Sequence, residues 1–118
     1  MSLHHMLKER IAAHYAGQLE QEPQLRQDAL QLHFDSCLVM ELRYPNSQEY
    51  SLQWLWGDVE LRIDTAPLHT DLSTYPNHFH DADANLRPDP VTIPGRAPWD
   101  NVRELIELLL EDPLLESN

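Results

Sequence analysis

The sequence contains a single cysteine, Cys37, among its 118 residues. This excludes an internal disulfide, and a lone thiol is typical of proteins kept in a reducing compartment. The chain also lacks an apolar run long enough to cross a bilayer, and no signal peptide precedes the first predicted helix. These absences predict a cytoplasmic protein that has no membrane partner.

Basic residues are scarce, because eight lysines and arginines stand against twenty aspartates and glutamates, for a formal net charge of −12. Nucleic-acid binders usually present a positive field, since phosphate contacts supply much of their affinity. The acidic balance favours a basic protein partner or metal cations, or it serves solubility alone. A local positive site stays open as an alternative, because Arg43, Arg62, Arg87 and Arg96 lie in the central and later parts of the chain.

The composition is that of a globular chain. Hydrophobic residues make up 42% of the sequence, and a chain of this length closes one core without disulfide or metal staples. The sequence shows no internal repeat and no low-complexity tract. It therefore predicts a single domain over residues 1–118.

Helical periodicity marks both ends of the chain. Residues 1–22 predict an N-terminal helix with Ser2 as its N-cap, because apolar residues recur at every fourth position. Residues 100–112 predict a C-terminal helix that Asp100 caps. The apolar stripe of this second helix is wider than one sheet face needs, so the helix is either broadly buried or forms a homodimer contact.

Between the helices the apolar period changes from 3.6 to 2. Residues 28–64 alternate polar and apolar side chains in four runs that turn sequences separate, which indicates an antiparallel β-meander. We predict an α+β fold in which about four to six strands, with "HFHDA" as a further short strand, pack one apolar face against both helices. Trp54 and Leu61 belong to that packed face, and Arg43 and Arg62 belong to the opposite one.

Residues 65–98 predict an irregular loop region that holds most of the chain's prolines and three histidines, His69, His78 and His80. Taken singly, a loop histidine usually bonds backbone carbonyls and orders its loop. The clustering of three histidines raises two chemical alternatives. The polar face of the predicted sheet is either a solvated surface or the floor of a site, and both chemical alternatives use residues of this face.

In the first alternative the histidines bind a divalent metal such as zinc. The His78-x-His80 spacing places two rings on one side of an extended segment, and His69 joins them from its loop, which leaves a fourth position open. Asp64 completes the site or orients a ring. The spacing matches no established zinc signature.

In the second alternative two imidazoles act as acid and base without any cofactor. One removes a proton from a ribose 2′-hydroxyl and the other protonates the leaving 5′-oxygen. Arg62 stabilises the charge that builds on the phosphorane, and Asp64 pairs with Arg62 and orients it. We prefer this alternative, because Arg62 is a cation that would sit poorly beside a divalent ion.

The segments "RIDTAPLH" and "STYPNHFH" resemble the TumE-type family of small bacterial and archaeal proteins, the toxin half of toxin–antitoxin pairs. That family carries a strand that ends in Arg-Tyr-Asp-Asn, followed by a proline and paired histidines, and then a threonine before Pro-His-His-x-His. The resemblance extends loosely over residues 25–112. The matching positions are Arg62, Asp64, Pro67, His69, Thr74, Pro76, His78 and His80.

This resemblance implies a growth-inhibiting toxin that acts on RNA and is neutralised by a helix-turn-helix antitoxin. The alternative function is a non-catalytic domain that binds a metal or a partner protein through the histidine-rich loop. The chain departs from the family pattern at Ile63, Thr65, Leu68 and Asn77. Leu68 and Asn77 replace histidines, so any mechanism that needs those rings is altered here. The candidate catalytic residues that remain are Arg62, Asp64, His69, His78 and His80.

Overall fold

The computed structural model describes residues 2–116, which form two helices and seven strands. In chain order the elements are α1 (Leu3–His14), β1 (Gln24–Arg26), β2 (Ala29–His33), β3 (Leu38–Arg43), β4 (Ser51–Trp56), β5 (Val59–Asp64), β6 (His78–His80), β7 (Leu86–Pro88) and α2 (Pro98–Glu111). All seven strands belong to one antiparallel sheet whose spatial order is the chain order. The predicted α+β meander is confirmed, with more strands than expected.

One face of the sheet is apolar and packs against the helices. Met40, Trp54 and Leu61 lie opposite one another in adjacent strands and are fully buried. They share one hydrophobic core with Ile11 of α1 and Leu105 of α2. The burial of such side chains is the main favourable contribution to folding, roughly 1.5–3 kcal/mol for each large apolar residue. The predicted assignment of side chains to the two faces is therefore confirmed.

The prediction of a helix over 1–22 is wrong at its C-terminal end. Ser2 caps the helix as predicted, since its Oγ accepts a backbone N–H of the first turn at 3.1 Å, but α1 ends at His14. Leu19 continues the apolar spacing, yet it forms an isolated β-bridge with Phe34. The chain turns at residues 16–18, and pairing of Leu19 with the sheet overrides the helical periodicity of this segment.

The C-terminal helix begins before the predicted Asp100. Ala97 is the N-cap residue and makes no side-chain capping bond within the described chain. Pro98 suits the first turn, because a backbone N–H at that position has no intrahelical partner. Asp100 lies in the first turn, where its charge is favourable to the helix dipole. Neither α1 nor α2, the helices found within residues 2–116, has the length and apolarity to cross a membrane.

The edge strands β1 and β7 lie outside the predicted strand range 28–64. β7 also corrects the prediction that residues 65–98 are irregular apart from the "HFHDA" strand, which is confirmed as β6. Both edge strands are three residues long, too short for an alternating pattern to be read. Their extended conformation follows from pairing with β2 and β6.

Candidate active site

Two adjacent strands build the cluster of predicted site residues. Arg62 and Asp64 are two residues apart on β5, and His78 and His80 are two residues apart on β6, so each pair projects from one face of the sheet. The register places Arg62 opposite His80 and Asp64 opposite His78. Four side chains therefore form a two-by-two square on the open face, the face opposite the helices.

Asp64 is the centre of this cluster. Its Oδ2 atom lies 2.8 Å from Arg62 Nε and 3.6 Å from His80 Nε2. Its Oδ1 atom lies 2.9 Å from His78 Nε2 and accepts the backbone N–H of Ala66 at 3.1 Å. Only 12% of the Asp64 side chain is exposed, so protein groups rather than water satisfy this carboxylate. One buried carboxylate thus holds a guanidinium and two imidazoles.

Arg62 contacts Asp64 by charge rather than by a directed hydrogen bond. Although Nε and Oδ2 are 2.8 Å apart, the buried Nε–H does not point at an acceptor within residues 2–116. The other contact of the guanidinium joins Nη2 to His80 Nε2 at 3.2 Å. Because 38% of the side chain is exposed, Arg62 keeps donors for an anion that approaches the open face.

His78 is the buried histidine of the cluster, with 2% of its side chain exposed. Its Nε2 faces Asp64, and its Nδ1 lies 3.3 Å from the carbonyl oxygen of Pro76. Both neighbours are acceptors, so a neutral imidazole satisfies one of them and an imidazolium satisfies both. In either form the protein occupies both ring nitrogens, and His78 is therefore placed to orient Asp64.

His80 is the more accessible histidine of β6, with 34% of its side chain exposed. The Arg62 guanidinium only donates hydrogen bonds, so its contact with His80 requires Nε2 to be the unprotonated nitrogen. Burial and then the charge of Arg62 lower the pKa of His80 from its ordinary value of 6.5, while Asp64 opposes this shift. A neutral imidazole near neutral pH is suited to accept a proton.

His69 reaches the cluster from the loop between β5 and β6. Its ring centroid lies 4.8 Å from that of His78, and the His78 and His80 centroids are 4.9 Å apart. The backbone carbonyl of His69 accepts the N–H of Leu72 at 3.2 Å, which fixes a turn in the loop. The structure therefore brings all five candidate residues together, and their part in a reaction stays a prediction.

A buried polar network holds the start of β6. Asn77, which directly precedes His78, donates from Nδ2 to Asp89 Oδ2 at 2.7 Å and to the Thr92 carbonyl at 2.9 Å. Asp89 Oδ1 also accepts two backbone N–H groups of the following turn. Thr74 Oγ1 donates to the Asn77 carbonyl at 2.7 Å and accepts the Asp89 N–H at 2.9 Å. The network thus fixes where the histidine strand begins.

Sequence reasoning missed this network, although Asn77 stands out as a departure from the family pattern. Its buried amide donates two hydrogen bonds that a single ring nitrogen could not both supply. Asp89 carries a weaker signal, since an aspartate between Pro88 and Pro90 does not indicate burial. Thr65, a second departure, is also structural, because its Oγ1 accepts the Tyr50 N–H at 3.0 Å.

The atoms that best suit a metal differ from the predicted set. Asp64, His78 and His80 each offer one ligand atom, and these atoms lie within 4.8 Å of one another. His69 does not join this group in the described chain, although it belonged to the predicted ligands. Three ligands and an open position suit a zinc-type ion. The Arg62 guanidinium lies against both Asp64 and His80, so an ion bound there would have to displace it.

An antiparallel meander that is covered on one side and carries a cation, a carboxylate and imidazoles on the other defines a small α+β protein with one polar centre. The family model described as toxin TumE matches residues 4–113. The chain therefore belongs to the TumE toxin family, which makes it a toxin of a toxin–antitoxin pair with a cognate antitoxin as its partner. No curated protein and no solved structure gave a significant match to the chain.

Proposed function

We propose that this toxin is a ribonuclease that cleaves RNA by metal-free acid–base catalysis. The observation that carries the proposal is that two side chains of the cluster are exposed to solvent and the other two are buried. Arg62 and His80 are 38% and 34% exposed at their side chains, whereas Asp64 and His78, the neighbouring cross-strand pair, are buried. A cation for a phosphate and a neutral imidazole for a proton therefore face solvent side by side.

In the base step, a substrate phosphate binds Arg62. Its oxygens accept guanidinium N–H groups and draw Nη2 away from His80 Nε2. The freed nitrogen lone pair of His80 removes the proton of the ribose 2′-hydroxyl, and that oxygen attacks the adjacent phosphorus. His80 becomes cationic within 3.6 Å of Asp64, whose charge stabilises it.

In the acid step, His69 is the proton donor. We assign this role to His69 because the ring nitrogens of His78 are occupied by Asp64 and a backbone carbonyl. The proton passes to the 5′-oxygen as its bond to phosphorus breaks, which leaves a 2′,3′-cyclic phosphate and a free 5′-hydroxyl. Arg62 stabilises the charge of the phosphorane, and Asp64 and His78 act as positioning residues.

The net charge of −12 bears on two of the partners that we propose, the antitoxin and RNA. A helix-turn-helix antitoxin with a basic contact surface would be attracted by this field, and its association would slow as ionic strength rises. The same negative field repels RNA, so RNA binding depends on the local positive charge of Arg62. Leu108 on α2 is 38% exposed and is the candidate centre of a homodimer contact.

The decisive experiment uses purified protein, a labelled RNA and excess chelator. We expect cleavage to persist, and the products to end in cyclic phosphate, while a fully 2′-deoxy substrate stays intact. His80→Ala should reduce the rate constant by about 10²–10⁴-fold, the range for a general base. His33→Ala is the matched control, because His33 lies on the same open face in β2 and pairs with Val39 rather than with the cluster.

Two results would contradict this proposal. Undiminished cleavage by His80→Ala and His69→Ala would place the chemistry elsewhere. Cleavage that chelator abolishes and that zinc or manganese restores would replace acid–base catalysis by a metal mechanism. In a bacterial host, induction of the wild-type protein should degrade RNA and arrest growth, and induction of His80→Ala should do neither.

A non-catalytic metal-binding domain is the second candidate function. The convergence of one ligand atom each from Asp64, His78 and His80 favours it. This function predicts one bound zinc ion per chain, whose affinity falls sharply in His78→Ala, and no cleavage of RNA under any metal condition. Mass spectrometry of the folded protein under native conditions measures the bound zinc directly.

A further inference from the structure

An open cavity of about 320 Å³ adjoins the cluster on the open face of the sheet. Arg62 and Asp64 belong both to the cluster and to the lining of this cavity. The lining also includes the polar side chains of Arg43, Glu49 and Ser51. Its volume falls at the lower end of the range of small-molecule sites, roughly 300–1,000 Å³, so it suits a ligand of nucleoside size.

The floor of the cavity is preformed. Ser51 of β4 pairs with Asp64 of β5, and two hydrogen bonds continue the ladder beyond the strand ends. Thr65 N–H donates to the Tyr50 carbonyl at 3.1 Å, and Tyr50 N–H donates to Thr65 Oγ1 at 3.0 Å. Ala66, which also lines the cavity, is held by Asp64. A ligand would therefore bind without ordering this part of the chain.

We propose that the cavity is a nucleoside subsite, which holds the base and ribose of the nucleotide whose phosphate lies on Arg62. This inference rests on the proposed function, because it takes the Arg62 guanidinium as the phosphate site. Arg62 belongs both to the cluster and to the wall of the cavity. A phosphate bound to Arg62 would therefore lie at the edge of the cavity, and the attached nucleoside is the part of the substrate that can enter.

The charged groups of the lining indicate a guanine base. Arg43 donates hydrogen bonds, and Glu49 accepts them; guanine offers acceptors at O6 and N7 together with N–H donors on its pairing edge. Arg43 is paired with Glu41 and with Asp28, yet 42% of its side chain is exposed. Glu49 accepts one hydrogen bond from Asn46 at 2.8 Å and lies at an exposed position. Both therefore keep free hydrogen-bonding positions.

The test is a titration of the whole protein with guanosine 3′-monophosphate, followed by NMR of the backbone amides. We expect shifts at Thr65 and Ala66 and binding about tenfold or more tighter than that of inorganic phosphate, since the base adds contacts that phosphate lacks. Ser51→Phe fills the cavity and should reduce the affinity to that of phosphate. Val39→Phe, a matched change on the same face beside Leu55, should leave it unchanged.

Equal affinities for phosphate and nucleotide would overturn the subsite, as would equal weakening by Ser51→Phe and Val39→Phe. If Ser51→Phe does not fold, Glu49→Gln replaces it. Loss of the preference for guanosine over uridine 3′-monophosphate in that variant supports the subsite, and an unchanged preference rejects it. Because these are binding measurements, a nucleotide bound in the cavity by a protein that leaves RNA intact would reject only the proposed function.

Discussion

On β5, Leu61 and Ile63 are fully buried against the helices, whereas Arg62 and Asp64, which alternate with them, belong to the cluster on the open face. The same strand therefore supplies apolar contacts to one side of the sheet and charged groups to the other. Burial of apolar surface dominates the free energy of folding, while the open face presents ionisable groups. The effect of a substitution should depend on which face the side chain belongs to.

The open face is itself divided by depth. Asp64 and His78 have most of their polar atoms paired inside the protein, and Arg62 and His80, the neighbouring cross-strand pair, are more exposed to solvent. A buried polar group that loses its partner costs about 1–3 kcal/mol. Asp64 and His78 therefore contribute to the stability of the fold as well as to the arrangement of the open face.

The largest expected effect on stability lies on the inner face. Trp54→Ala should lower the free energy of unfolding by about 3–5 kcal/mol, because it leaves a large cavity in the core. The adjacent Gln53→Ala, on the open face, should change it by no more than about 0.5 kcal/mol. Urea denaturation measures both. Similar losses in the two variants would remove the distinction between the faces.

A smaller effect, measured on activity, is expected at the centre of the cluster. Asp64→Asn removes the charge that holds Arg62 and His80, and misplacement of these groups should lower kcat by about a hundredfold. Single-turnover cleavage of RNA reports this change, and the circular dichroism spectrum should remain that of the wild type. A variant with full activity would show that Asp64 does not position the two exposed side chains.

Substitution in the buried network at the start of β6 should change both the stability of the fold and the surroundings of His78. In Asp89→Asn the new amide faces the Asn77 donor, so we expect a loss of roughly 1–3 kcal/mol in the free energy of unfolding. The ring resonances of His78 should also shift, because its strand begins at Asn77. Asp81→Asn is the control at the other end of β6, since an amide oxygen still accepts the N–H of Asn85 there. A shift of the His78 ring in the control alone would contradict this role.

The smallest expected effect is a dependence of stability on pH. The pKa of His80 is lowered by folding, so the unfolded chain binds more protons below the ordinary value of 6.5 and the folded state loses stability as pH falls through the lowered pKa. His80→Gln should therefore flatten this part of the profile. Denaturation curves at about pH 5.5 and pH 7.5 compare the two proteins, and identical profiles would show that His80 does not contribute.

The parts of the fold that repeat a simple period were predictable from the sequence. Alternation over 28–64 assigned Trp54 and Leu61 to the core and Arg62 to the open face, because one buried face fixes the register of a strand. The end of α1 was not predictable in this way. The apolar spacing continues through Leu19, and only its bridge to Phe34, a tertiary contact, shows why the helix ends at His14.

The candidate site was predictable in its members but not in its arrangement. The spacing of Arg62 and Asp64, and of His78 and His80, suggested shared faces, and pairing of β5 with β6 joined them. The sequence did not indicate which histidine is buried, because that depends on the contacts of His78 with Asp64 of the neighbouring strand and with the ring of His69. It also did not reveal the role of Asp89, because three of its acceptor contacts lie within its own turn and the fourth, to Asn77, forms only when a distant segment meets it.

Every ladder of the sheet joins strands that are neighbours along the chain, and this order has a kinetic consequence. Local pairings close short loops and form quickly, whereas contacts between distant segments come later. We therefore expect the β5–β6 hairpin, which carries the whole cluster, to form before α1 and α2 meet across the core. Pulse-labelled hydrogen exchange that protected α2 first would reverse this order. The candidate site is thus assembled locally, and the packing of the two helices on the sheet then stabilises it.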